Sequence, residues 1–272
     1  MAILKEKELK EKTKEIRRSI ISMLAKAGSG HSAGALGQVE LYTILYKEVL
    51  KHNPKKPLDP NRDFCIVSNG HTCPVLYATL ADNGYFPKKE LLTLRKLGSR
   101  LQGHPHKGLL PGVEHSGGPL GQGISFAVGL AASLRRDKKT NKVYCFVGDG
   151  ELEEGQCWEA LLFAAKEKLS NFILIVDRNY IQIDGSTTQV LHLDPLDKKC
   201  EAFGFHTISL DGNNPQDIRK AYKSALQEKK RPTVLIARTI PGKGVSFMEN
   251  KVEWHGKAPT KEEAEKALEE LE

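Results

Sequence analysis

Leu9, Ile16, Ile20 and Leu24 recur near one stripe among alternating lysines and glutamates, a period that predicts an amphipathic helix over 6–27. The glycine-rich GSGHSAG at 28–34 ends it. A second helix is expected over about 35–50, stopping before the Pro-rich HNPKKPLDPNRD. FCIV (64–67) reads as a short apolar strand followed by the turn SNGH, and helices are expected at 72–83 and 87–96. Residues 98–119 form a long loop of Gly, His and Pro, and loops of that length inside a domain usually serve function.

The rhythm then becomes regular. A helix at about 120–136 leads to the strand VYCFV (143–147), a helix at 156–168 and the strand FILIVD (172–177). A loop, a helix near 195–203, the strand HTISL (206–210), a helix at 215–229 and the strand TVLIA (233–237) follow. Continuous apolar strands alternating with helices are the pattern of a parallel sheet covered on both faces. The expected fold is α/β: one doubly wound, mostly parallel sheet with helices on both faces, a single domain over 1–272. An irregular stretch, 238–259, precedes a last helix opened by Thr260 with Glu263 three residues on, a capping box.

Composition changes this picture little. The chain is 39% apolar and 28% charged, and its net charge of +7 comes from lysines interleaved with glutamates on helix faces. Aromatic residues are not interleaved with the basic ones, which disfavours nucleic-acid binding and leaves anionic small molecules as the better partners. No apolar run reaches the ~18 residues of a membrane span, and the N-terminus lacks an apolar leader core. Five scattered cysteines without C-x-x-C spacing read as reduced thiols. A cytoplasmic protein with no membrane partner is expected.

Ligands of open parallel sheets bind beyond the carboxyl ends of the strands. Four polar clusters follow strands here: SNGH, GDGELEEG, DRNYIQIDG and RTIPGKG. Within GDG, Asp149 is a hard oxygen donor suited to Mg²⁺, and the following helix offers N–H groups to phosphate. Alone, GDG is as much a simple Asp-Gly turn; Asn179, at the end of the next strand, stands where a second metal ligand would come from. Neither a P-loop nor a strand-borne G-x-G-x-x-G is present, against a P-loop nucleotidase or a Rossmann dehydrogenase. Of nine histidines, His31, His71, His104, His115 and His255 lie in glycine-flanked loops. Such a group suits proton transfer or hydrogen bonding better than zinc, whose ligand spacings are missing. His52, His192 and His206 read as bystanders, and His106 is left without a role.

LAKAGSGHSAGALG, SNGH, LQGHP, SGGPLGQGISFAVGLA, GDGELEEGQCWEA, DRNYIQIDG and GKGVSFMENKVEWHGKAP occur in that order. On them the sequence resembles the N-terminal portion of transketolases, which use thiamine diphosphate and Mg²⁺ (or Ca²⁺ or Mn²⁺ in its place). The resemblance implies metal ligation by Asp149, the Asn179 side chain and the Ile181 carbonyl. It implies diphosphate contacts from Gly150, His71 and His255, the last also facing substrate. Gly118, Pro119 and Leu120 would flank the cofactor rings. His31 and His104 would line the substrate channel, with His255, as catalytic groups. Glu154 would match an acid that reaches towards a partner's cofactor.

The implied reaction moves a two-carbon ketol unit from a ketose phosphate to an aldose through dihydroxyethyl-thiamine diphosphate, as in the pentose phosphate pathway. Full transketolases are more than twice this length. Their further domains bind the aminopyrimidine and supply its activating glutamate and most substrate-phosphate arginines. The chain therefore resembles the N-terminal subunit of a split enzyme, active only with a separate C-terminal subunit, in an α2β2 assembly acting on sugar phosphates. A deoxyxylulose-phosphate-synthase-like or other sugar-specific ketol transferase, and a non-catalytic diphosphate-binding scaffold, are the alternatives. Two positions depart from the family pattern: Ser32-Ala33, where Pro is frequent, and Arg178, where a second Asp or Asn is common.

Overall fold

Residues 3–272 are described in a computed structural model. Helix α1 (Glu6–Ala27) buries Leu9, Ile16, Ile20 and Leu24, as its period requires, and ends on Gly28 at φ 72°. The left-handed Gly28 donates its N–H to the Leu24 carbonyl, closing the last turn. Next come α2 (Ala33–Gly37) and α3 (Val39–Ile44), then a π turn over Leu45–Val49. The single helix expected at 35–50 is thus broken at Gln38, where two contacts with distant segments meet. A Cβ on Gly37 would lie 2.9 Å from the Ile240 carbonyl oxygen. The Gln38 amide, moreover, is turned inwards onto Asp177 (2.9 Å).

Strand β1 (Phe64–Val67) leads through a 3₁₀ turn (Gly70–Thr72) into α4 (Cys73–Asp82). The helix expected at 87–96 is a 3₁₀ turn, Lys88–Thr93. The turn buries Leu91, and Leu94, its C-cap, is buried three residues on; positions three apart eclipse on a 3₁₀ turn. After the long loop, α5 (Gln122–Arg136), β2 (Val143–Gly148), α6 (Gly155–Lys166) and β3 (Phe172–Arg178) follow as expected. The segment read as loop before 195 holds a small hairpin, β4 (Ile181–Gln182) and β5 (Gly185–Ser186), and α7 (Thr187–Val190). Then come α8 (Leu196–Ala202), β6 (His206–Asp211), α9 (Pro215–Gln227), β7 (Thr233–Arg238) and α10 (Lys261–Glu270). Thr260 and Glu263 form the reciprocal capping box of α10.

Strands β1-β2-β3-β7-β6 make one five-stranded sheet, parallel at every pairing. Alternate residues of a strand enter opposite cores. Tyr144, Phe146, Ile173, Ile175 and Leu235 pack with α1, α3, α4, α9 and α10. Val143, Cys145, Val147, Leu174, Val176 and Ile236 pack with α5, α6 and α8. Burial on both faces explains why these strands read as unbroken apolar runs rather than alternating ones.

The register sets the carboxyl ends level: Val67 pairs with Phe146, and Gly148 with Asp177. Helix α5 comes down onto β1 through Gly123, where an added Cβ would meet the Ser68 Cα at 2.6 Å. Gly123→Ala gains about 1 kcal/mol of helix propensity. Forcing a methyl against backbone costs about 1–3 kcal/mol. Net destabilisation is expected in urea melts; a variant more stable than the parent refutes the close approach.

Candidate functional site

Past the ends of β1, β2 and β3 lies a cavity of about 600 Å³. His31, His71, His104, Gly118, Leu120 and Asp149 line it, with Gly150, Glu154, Asn179, Ile181 and His255. Of the residues to which the family resemblance gives a site role, only the exposed Pro119 lies outside the lining, and the glycine-flanked His115 is outside it as well. Three of the four post-strand clusters meet there. The fourth, RTIPGKG, supplies no lining residue; its Thr239 hydroxyl instead donates to the carboxylate of Asp177, a buried residue of the cavity lining.

The oxygens form one group. Asp149 Oδ2 accepts from the Tyr180 N–H (2.7 Å) and from the Arg178 guanidinium (3.2 Å), while Oδ1 accepts only from the Gly150 N–H (2.9 Å). Asn179 Oδ1 accepts from the Ile181 N–H (3.0 Å), an Asx turn, while its amide donates to Asp177 (2.8 Å). Each Oδ1 therefore keeps lone-pair capacity. One carboxylate, one amide oxygen and one carbonyl, completed by phosphate and water oxygens, fit a hard divalent cation such as Mg²⁺. No group of three or more His, Cys, Asp or Glu suited to a metal occurs among the described residues. Burial pushes the Asp149 carboxyl up to about 6. Burial, helped by the neighbouring Asp149 charge, pushes Asp177 up to about 7.

The histidines form a second group. Ring centroids of His31 and His71 are 5.0 Å apart, His71 and His255 5.3 Å, and His31 and His255 5.9 Å. They come from the α1–α2 loop, the turn after β1, and the segment before α10. The Ser32 hydroxyl, donating to the Lys257 carbonyl (2.6 Å), staples the first of these to the last. His104 stands across from them, its Cγ 3.9 Å from where a Gly118 Cβ would be. His31 and His255 Nδ1 and Asn69 Oδ1 are buried without a protein partner, as groups facing a polar ligand would be.

Burial, with the charges of His255, Arg95 and His104, holds His31 down to about 4. Burial, with the other histidines, holds His71 down to about 3. His255 and His104 are lowered too, chiefly by burial. Histidine NMR titration should accordingly show His31 and His71 flat from pH 8 to 5; a midpoint near 6.5 for either overturns the cluster geometry. Folded pKa values below the unfolded value make these rings lose stability as pH falls from 6.5 towards 4. The raised Asp149 and Asp177 act oppositely, losing stability as pH rises from 3.8 towards about 6 and about 7, so ring signals are a cleaner readout than a melt.

The remaining histidines stand apart. His115 stacks on Phe126 (4.7 Å), His52 bonds Tyr85 and the Tyr46 carbonyl, and His206 meets Ser224. His192 faces Asp194 and His106 the Lys107 carbonyl. Two buried carboxylates had no role from sequence. Asp177 gathers Gln38, Asn179 and Thr239. Glu151 accepts from the Ser68 hydroxyl and from the Gly121 and Gly148 N–H groups, tying β1, α5 and β2 together at the cavity edge. Arg178, a departure from the family pattern, bridges Asp149 and Asp194. Glu154 is exposed at the mouth and pairs with no cation among the described residues.

The family model of the transketolase thiamine diphosphate binding domain matches residues 9–271. The chain belongs to the transketolase family. An apulose-4-phosphate transketolase subunit of Actinobacillus succinogenes is 44% identical over 265 residues, covering 97% of this chain and 96% of its own. The 6-deoxy-6-sulfo-D-fructose transketolase subunit SqwG of a Clostridium species is 39% identical, with the same two coverages of 97% and 96%. Transketolase from Campylobacter jejuni superposes with a TM-score of 0.93 at 36% identity, over 98% of this chain and 43% of that one. This transketolase-family chain thus has the thiamine-diphosphate-binding fold, matches proteins named as subunits almost end to end, and spans less than half of a full-length relative. No helix among the described residues is long and apolar enough to cross a membrane.

Proposed function

We propose that the chain is the diphosphate- and metal-holding subunit of a two-chain transketolase that moves a two-carbon ketol unit between sugars. The observation that carries this reading is the meeting, in one cavity at the ends of parallel strands, of the Asp149–Asn179–Ile181 oxygens with four histidines. The near end-to-end match to proteins named as subunits supports a partner chain. On this reading residues 1–272 are one diphosphate domain, the pyrimidine-binding region and its activating carboxylate belong to the partner, and the assembly is α2β2.

Asp149, Asn179 and the Ile181 carbonyl would hold Mg²⁺ against the diphosphate, with Gly150, His71 and His255 contacting it. Bound thiamine diphosphate supplies the carbon nucleophile and electron sink. The chain orients and protonates. Neutral His31 and His104 each offer one N–H and one acceptor nitrogen, suited to sugar hydroxyls and to holding a proton at a reacting oxygen. Gly118, Pro119 and Leu120 would flank the rings, and Glu154 would face the partner. The two relatives matched end to end are named for different sugars, which favours a sugar-specific ketol transferase as the form of this activity. A pure diphosphate scaffold would need no buried histidine cluster. Ketol transfer by the reconstituted pair, from ketose phosphate to aldose, tests the proposal; a pair that binds thiamine diphosphate without transfer supports the scaffold instead.

A further inference from the structure

Arg95 is the least explained cation near the cavity. It closes the 3₁₀ turn Lys88–Thr93 in the left-handed region, φ 58°, held there by its N–H donating to the Leu101 carbonyl (2.9 Å). A non-glycine residue there is strained, and such strain clusters at ligand-clamping sites. The side chain rests against two glycines, each immediately preceding a cavity histidine. A Cβ on Gly103, before His104, would lie 2.8 Å from the guanidinium carbon. One on Gly30, before His31, would lie 3.8 Å from Nε. Gly103 therefore makes room for the guanidinium beside both histidine loops.

Arg95 has little else to hold. Its side chain makes one long hydrogen bond, to the Gly103 carbonyl at 3.4 Å, and is exposed. Among the described residues no carboxylate pairs with it, whereas Arg17, Arg62, Arg100 and Arg219 each have one and Arg178 has two. Most of its five N–H donors point to no protein acceptor. Its charge reaches the site, helping to hold His31 and His104 neutral.

Resting on the ketol-transfer reading above, we propose that Arg95 is a specificity-determining residue that grips the anionic tail, phosphate or sulfonate, of the sugar held at His31 and His104. A planar fork suits a tetrahedral oxyanion. Two relatives matched end to end are named for sugars with such tails, one a phosphate and one a sulfonate.

The test uses the reconstituted pair with glycolaldehyde as a neutral acceptor. Donors are xylulose 5-phosphate, unphosphorylated xylulose and 6-deoxy-6-sulfofructose. Arg95→Gly removes the fork while relaxing the left-handed backbone, so misfolding is not a confounder. The KM for the anionic donor that the parent pair prefers should rise about ten- to a hundredfold, with the KM for xylulose and the affinity for thiamine diphosphate unchanged. Arg95→Lys, keeping charge without the fork, should fall between. Preference for the phosphate or the sulfonate donor in the parent identifies the tail. Equal KM increases for anionic and neutral donors, or none, overturn the proposal. No transfer by the parent pair from any donor overturns the functional reading, and this inference with it.

Discussion

Asp149→Ala is expected to weaken Mg²⁺-dependent thiamine diphosphate binding by the reconstituted pair at least about a hundredfold. Loss of residues that merely orient metal ligands already costs about ten- to a hundredfold, and Asp149 is the only carboxylate among the proposed ligands. It is also a structural hub, so the variant needs a control. Removing the carboxylate leaves the Tyr180 and Gly150 N–H groups without this acceptor and Arg178 Nη1 with only the Thr187 hydroxyl at 3.4 Å. Orphaned buried donors cost about 1–3 kcal/mol. Asp149→Asn retains an oxygen for Tyr180 but not the charge for the cation, and should lose affinity while keeping most of the stability. Calorimetry against thiamine diphosphate, with and without Mg²⁺, reads the effect. Unchanged affinity in the folded asparagine variant removes Asp149 from the metal site.

The second large effect concerns the isolated chain. Ketol transfer by it should fall at least about a hundredfold below that of the reconstituted pair. General acid–base assistance from a positioned side chain contributes about 10²–10⁴-fold, and on this reading the carboxylate that activates the aminopyrimidine belongs to the partner. The buried carboxylates here are committed elsewhere: Glu151 to Ser68, Gly121 and Gly148, and Asp177 to Gln38, Asn179 and Thr239. The cavity mouth also carries exposed Leu120, Ile183 and Leu191, which leave a bound ring open to water on that side. Turnover by the isolated chain approaching that of the pair defeats the two-chain reading. A pair no better than its parts, with cofactor bound, defeats the choice of partner.

Four of the strands were legible because a buried strand of a covered parallel sheet writes itself as a nearly continuous apolar run, as β1, β2, β3 and β7 do; the edge strand β6, HTISLD, has no buried residue and was legible from its place in the strand–helix rhythm. The cap of α10 was legible because it needs only Thr260 and Glu263, three residues apart. Helix 35–50 misled because its break depends on Ile240 and Asp177, far along the chain, meeting Gly37 and Gln38. The 3₁₀ turn at 88–93 misled because Leu91 and Leu94 satisfy both helical periods.

At the site, local pattern marked Asp149, Asn179 and the glycine-flanked histidines as chemically apt, and the motif order placed them in a family. Pattern could not separate His71 and His255, which converge on the cavity, from His115, stacked on Phe126. Nor could it mark Asp177 and Glu151, whose partners come from remote segments, or show that Arg178 spans two carboxylates. Periodicity is written into neighbouring residues because backbone geometry repeats over a few positions. Burial, ring protonation and unpaired charge depend on which distant segments pack together, so the neutrality of His31 and His71 and the unpaired guanidinium of Arg95 became visible only when the loops were in place.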